Sequence, residues 1–118
     1  MRRPRGKPPL HLRLDFDSER SIGPGKVRLL ELVQETGSIS AAGRALDMSY
    51  RQAWLLIDEL NGMFRSPLVE KKVGGGGGGG AEVTATGASV IRLYRDLQRR
   101  AHKATSADIR ALSRLLAS

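Results

Sequence analysis

The chain contains no cysteine. Disulfides and any zinc or iron–sulfur site that needs a thiolate are excluded, which fits a cytoplasmic protein. It also lacks an apolar run of about 18 residues, so no membrane span is expected. The basic start at residues 1–9 is followed by no apolar stretch, which argues against a secretory signal. Its two histidines, His11 and His102, stand far apart, and no paired-carboxylate, Ser/His/Asp or metal-ligand constellation is visible. No enzymatic activity, metal or cofactor is therefore expected. Acidic residues are in the minority: 12 Asp and Glu face 20 Lys and Arg, a net charge of +8. A surplus this large in 118 residues favours polyanions, through phosphate neutralisation and counterion release. Duplex DNA is the expected partner, and a basic solubilising surface is the plainer alternative.

What is present has the size of one domain with short accessories. Residues 1–9 hold four cations and three prolines and read as a disordered basic arm. Such an arm either reaches a minor groove or remains a tail. At residues 10–16, Leu10, Leu12, Leu14 and Phe16 alternate with polar residues, the pattern of a half-buried strand. That strand is expected to join the wing sheet or an interface, and residues 17–25 read as loop. From Lys26 the period becomes helical through Val27, Leu30 and Val33, and Gly37 stops it.

Ser38 is a suitable N-cap for a short helix through Leu46, and Asp47-Met48 reads as a tight break. Ser49 opens a third helix, with Gln52 completing an S-x-x-Q capping box and Gly62 marking its end. Ala53, Ile57, Leu60 and Phe64 fall on one face. Small residues Ala41, Ala42, Gly43 and Ala45 would let the two helices cross closely, as a helix-turn-helix requires.

The third helix then presents Ser49, Tyr50, Arg51 and Gln52 at its exposed end. Arg51 suits a bidentate bond to guanine, Gln52 one to adenine, and Tyr50 a phosphate or a thymine methyl. Each has a structural alternative: capping for Ser49 and Gln52, surface packing for Tyr50, a solvated charge for Arg51. Ser38 and Ser40 open the preceding helix, where a phosphate is favoured; capping by Ser38 is the plainer role. Trp54, the single tryptophan, reads as packing rather than a base-stacking platform.

Residues 67–73 form a β-type segment that precedes seven glycines at 74–80, and 81–83 return as a strand. No G-K-[ST] follows the glycines and no βαβ unit surrounds them, so a nucleotide loop is not indicated. A hairpin wing with a glycine tip fits, Lys71 and Lys72 on its ascending arm facing phosphates, with a disordered glycine linker as the plainer alternative. Thr84 caps a long helix over 85–103, and Ser106 caps a further short helix over 106–116.

On the long helix Val90, Leu93, Tyr94, Leu97 and Ala101 make an apolar stripe suited to a two-fold partner, with packing onto the chain's own core as the plainer alternative. The expected fold is mainly α with a small β-sheet: a winged helix-turn-helix of three helices plus a hairpin wing. It divides into arm 1–9, DNA-binding domain 10–84, dimerisation helix 85–104 and C-terminal helix or tail 105–118.

The stretch G-S-I-S-A-A-x-R-A-L-x-x-S-x-x-x-A-x-x-x-I-x-x-L at 37–60 resembles the helix-turn-helix shared by LysR-type and molybdenum-responsive ModE-type regulators. Ser49-Tyr50-Arg51-Gln52-Ala53-Trp54 resembles the ModE-type S-Y-[KR]-x-A-W. Leu68-Val69-Glu70-Lys71 before the glycines resembles that family's wing, and Val83-Thr84 with Gly87, leading to Leu93-Tyr94, its dimer helix. The resemblance implies a homodimeric transcription regulator on a palindromic operator, linked to molybdate or molybdenum-enzyme genes. Family members carry C-terminal molybdate-binding domains, and the sequence given stops at Ser118. Direct molybdate binding by this chain is therefore not expected. A winged-helix nucleoid or protein-interaction module without a specific operator is the alternative.

Overall fold

The structure is a computed structural model that describes residues 10–72 and 80–118. The arm at 1–9 and the wing tip at 73–79 lie outside the described residues. The element order is β1 (Leu14–Asp15), β2 (Ser21–Ile22), α1 (Pro24–Thr36), α2 (Ile39–Ala45), α3 (Tyr50–Met63), β3 (Val69–Lys72), β4 (Gly80–Val83) and α4 (Ala85–Arg114). The chain is mainly helical with two separate two-stranded antiparallel sheets, β1–β2 and β3–β4. Three helices with a β-hairpin and a long following helix make a winged helix-turn-helix.

α1 is the centre of the core. Val27, Leu29, Leu30, Leu32 and Val33 are all buried, so this helix is covered on most of its circumference. Pro24 occupies its first turn, where a missing N–H costs nothing. Gly37 ends it at φ +70, donating its N–H to the Val33 carbonyl at 2.8 Å. That left-handed conformation suits glycine and starts the turn into α2. Ile39 and Ala42 of α2, Ala53, Ile57 and Leu60 of α3, Leu68, Val69, Ala81, and Ile91 and Tyr94 of α4 complete the cluster. Among the described residues no helix is long and apolar enough to cross a membrane.

The alternating segment at 10–16 is strand over Leu14–Asp15 alone and does not join the wing sheet. Its partner, Ser21–Ile22, lies in what reads as loop, with Leu14 opposite Ile22. Leu12 and Leu14 do turn inward, but ahead of Leu14 the backbone finds helix side chains instead of a ladder. The Tyr94 hydroxyl donates to the Leu12 carbonyl at 2.6 Å and the Gln98 amide to the Leu10 carbonyl at 3.0 Å. Phe16, expected on the buried face, is 54% exposed.

A second difference concerns the C-terminal part. No separate helix begins at Ser106, because α4 runs unbroken for 30 residues to Arg114. The segment 103–106 contains no glycine or proline to stop it. The Ser106 hydroxyl, which reads as a cap, folds back on the helix and donates to the Lys103 carbonyl, as the neighbouring Thr105 hydroxyl does to that of Ala101. α1 ends at Thr36, directly before the expected stop at Gly37, and α3 runs one residue past Gly62, to Met63.

Candidate nucleic-acid interface

The two crossing helices meet where Gly43 faces Ala53. A Cβ at Gly43 would lie 2.9 Å from the Ala53 Cβ, so the α2–α3 crossing needs a hydrogen at that point. Between the helices Leu46 caps α2, Asp47 takes φ 57, and the Met48 N–H returns to the Gly43 carbonyl at 2.8 Å. Aspartate is among the few side-chain-bearing residues that tolerate this region. The turn is therefore closed by local hydrogen bonds, and it sets the angle at which α3 leaves.

Ser49 caps α3, its Oγ accepting the Gln52 N–H at 3.0 Å. No hydrogen bond among the described residues returns from the Gln52 amide to the Ser49 N–H, so only half of the expected capping box forms. Gln52 is exposed and its amide is free to reach outward. Arg51 beside it is exposed and has no carboxylate partner among the described residues. Tyr50 is 57% exposed. The first turn of α3 thus offers a phenol, a guanidinium and an amide to solvent, at a helix N-terminus whose dipole favours an anion.

Ser38 caps α2, its Oγ accepting the Ala41 N–H at 3.0 Å. Ser40, a turn's start away, accepts from the Arg44 guanidinium at 2.9 Å. Both border a cleft of about 240 Å³ that is also lined by Tyr50, Trp54, Lys71 and Gly80. The wing is held over this cleft by two attachments. The Ala81 N–H donates to the Gly37 carbonyl at 2.9 Å. Asn61 of α3 supplies the second: its amide donates to the Val69 carbonyl at 3.0 Å, while its oxygen accepts the N–H groups of Leu68 and Val69. The Thr84 N–H closes the base of the hairpin itself on the Leu68 carbonyl at 2.9 Å. Sequence reasoning missed Asn61; the available signal was an asparagine four residues after the buried Ile57, on the same side of α3.

Lys71 and Lys72 do not act as a pair. Successive strand residues face opposite ways, and Lys71 lies over the Trp54 ring, 5.1 Å from its centroid. Lys72 is exposed on the other face. Trp54 is half-buried and donates its indole N–H to the Tyr50 hydroxyl, so it packs at the edge of the core rather than standing free as a stacking surface.

Of the stripe on α4, Val90, Leu97 and Ala101 are half-buried and Leu93 is 60% exposed. Tyr94 is buried in its own chain. Burial raises its phenol pKa, opposed by the adjacent Arg95 charge and the bond to Leu12. Leu93, Leu97, Val90, Phe16, Phe64 and Leu14 line an apolar groove of about 250 Å³. Arg95, beside the stripe, is tied to α1. Its guanidinium makes two bonds to the Glu31 carboxylate, at 2.9 and 2.8 Å. Hydrogen bonding from Arg95, helped by the nearby Arg28, holds the Glu31 carboxyl below the usual range against the effect of burial.

The fold and this exposed helix end define a helix-turn-helix protein of the regulatory kind. The family model described as "Bacterial regulatory helix-turn-helix protein, lysR family" matches residues 25–88. The chain belongs to that family. It is 33% identical to the "Molybdenum transport protein ModE" of Azotobacter vinelandii over 116 aligned positions, covering 89% of this chain and 43% of that protein. It is 38% identical to the "Transcriptional regulator ModE" of Yersinia pestis, covering 91% and 42%. It is 35% identical to the "DNA-binding transcriptional dual regulator ModE" of Escherichia coli K12, covering 70% and 32%. The chain thus spans less than half the length of these relatives.

Proposed function

We propose that this chain is the DNA-reading part of a cytoplasmic, sequence-specific transcription regulator that acts as a homodimer on an inverted-repeat operator. The observation that carries the reading is the free, exposed first turn of α3, with Tyr50, Arg51 and Gln52 beside a wing that carries Lys71. In this reading α3 enters the major groove, Arg51 bonds guanine O6 and N7, and Gln52 bonds adenine N6 and N7. Lys71, Lys72 and the α2 start at Ser38 and Ser40 face the flanking phosphates, which fix register without reading sequence. The net charge of +8 supplies the salt-dependent part of the affinity.

Val90, Leu93, Leu97 and Ala101 meet the partner's equivalent face, with Phe16 at its edge and Tyr94 supporting the stripe from within the core. A two-fold protein matches a two-fold site. The names of the relatives connect the regulated genes to molybdenum. Selection of binding sites from random duplexes by the purified chain, at physiological salt with and without molybdate, tests the reading. An enriched inverted repeat is expected. Binding with no enriched sequence would replace it with a non-specific nucleoid role.

A further inference from the structure

Tyr50, Trp54 and Lys71 form a continuous set of contacts across the cleft where the wing meets α3. Trp54 donates its indole N–H to the Tyr50 hydroxyl, and its ring face lies under the Lys71 ammonium. Each contact leaves a donor aimed elsewhere. A phenol has one hydrogen and two lone pairs; with a lone pair taken by Trp54, its own O–H remains to be given, and among the described residues nothing accepts it. An ammonium over a ring is attracted as a charge but keeps its N–H groups. Lys71 has no carboxylate partner among the described residues.

Both donors line the same 240 Å³ cleft, together with Ser38 and Ser40. That is room for roughly eight waters at about 30 Å³ each, ample for a phosphate group. Lysine is a flexible point charge that loses rotamer freedom when it binds. Resting on Trp54, it has lost part of that freedom before the ligand arrives, which favours binding.

We propose that this cleft seats one backbone phosphate of duplex DNA, held by the Tyr50 hydroxyl and the Lys71 ammonium, with Trp54 as the positioning residue for both. The assignment rests on the DNA-binding reading of α3. It adds that wing and reading helix grip one phosphate through a shared aromatic residue, not two phosphates independently.

The test uses the whole chain and a duplex carrying its selected site, with anisotropy titrations at several salt concentrations. Lys71→Met is expected to weaken binding about tenfold and to lower the salt slope by about one. A neutral methylphosphonate walked along the duplex should cost the parent about tenfold at one position per half-site. At that position it should cost Lys71→Met and Tyr50→Phe much less. Trp54→Phe keeps an aromatic face, though a smaller one, and removes the N–H. It should retain the contribution of Lys71 and abolish that of Tyr50, a split that simple unfolding does not produce. Circular dichroism confirms that each variant is folded, and the methylphosphonate walk on the parent needs no variant at all.

Tyr50 and Lys71 mapping to different phosphates, or effects that simply add to that of Trp54→Phe, would overturn the proposal and leave specific DNA binding intact. Loss of all sequence-selective binding in the parent would remove both. Because Trp54 is the single tryptophan, its fluorescence reports the cleft directly. A change with the duplex and none with inorganic phosphate is expected. An equal response to inorganic phosphate alone would make it a free-anion site and overturn the duplex assignment.

Discussion

Replacing Gly87 with alanine sets two physical effects against each other. Helix propensity alone favours alanine by up to about 1 kcal/mol. Yet a Cβ at Gly87 would stand 2.3 Å from the Leu68 carbonyl oxygen and 2.7 Å from the Val83 Cγ1. Ordinary contact needs about 3.5 Å, so the start of α4 must move by roughly 1 Å. Neither obstacle yields easily, because the Leu68 carbonyl also accepts the Thr84 N–H and Thr84 caps α4 through the Gly87 N–H at 3.0 Å. Overpacking costs about 1–3 kcal/mol and a damaged cap about 1 kcal/mol. Less the propensity gain, the net is a loss of about 1–3 kcal/mol. Gly62 is the control: a Cβ there meets nothing within 4 Å, so Gly62→Ala should be neutral or stabilise by up to about 1 kcal/mol. Urea unfolding followed by circular dichroism, at one protein concentration because association shifts stability, reads both. Gly87→Ala as stable as the parent would refute the close-approach argument.

Three further outcomes follow from the packing. Asn61→Ala strands the N–H groups of Leu68 and Val69 and should cost about 2–3 kcal/mol in the same unfolding assay; it should also weaken DNA binding through a loosened wing. The Glu31 carboxyl has a lowered pKa in the folded chain, chiefly through Arg95. Its stabilising contribution is therefore complete above the ordinary value of 4.5 and lost as pH falls through the folded-state pKa. Glu31→Gln should lower stability at neutral pH, with the gap to the parent closing in acid; a gap independent of pH would remove the ion pair from the account. Leu93→Glu places a charge on the α4 stripe and should shift the chain toward monomer in sedimentation velocity without lowering its own melting temperature at high dilution.

The helix-turn-helix was legible because its determinants are local. Gly37, Ser38, Ser49 and the small residues of α2 each act within a few positions, and each was found where spacing placed it. The segment at 10–16 failed for the opposite reason. Alternation shows which side chains turn inward, but it does not choose between a strand partner and the Tyr94 and Gln98 side chains that cap those carbonyls from 82 and 88 residues away. The break expected near Ser106 came from trusting a cap residue with no helix breaker before it. In the interface, Tyr50, Arg51 and Gln52 could be located from the cap alone. The roles of Asn61, of Lys71 over Trp54 and of Arg95 on Glu31 depend on contacts between elements that no local pattern encodes. The α4 stripe was legible as a pattern, whereas the burial of Tyr94 at its centre required the fold.

The central claim is that the first turn of α3 reads base edges, and Arg51→Ala tests it most directly. Its relative affinities should be measured over every single-base variant of the selected site, beside those of the parent. A loss of about 1–3 kcal/mol on the best site is expected, with discrimination relaxed at one base pair per half-site and preserved at the others. Unchanged affinity and an unchanged profile, or an equal loss on all sequences, would contradict it.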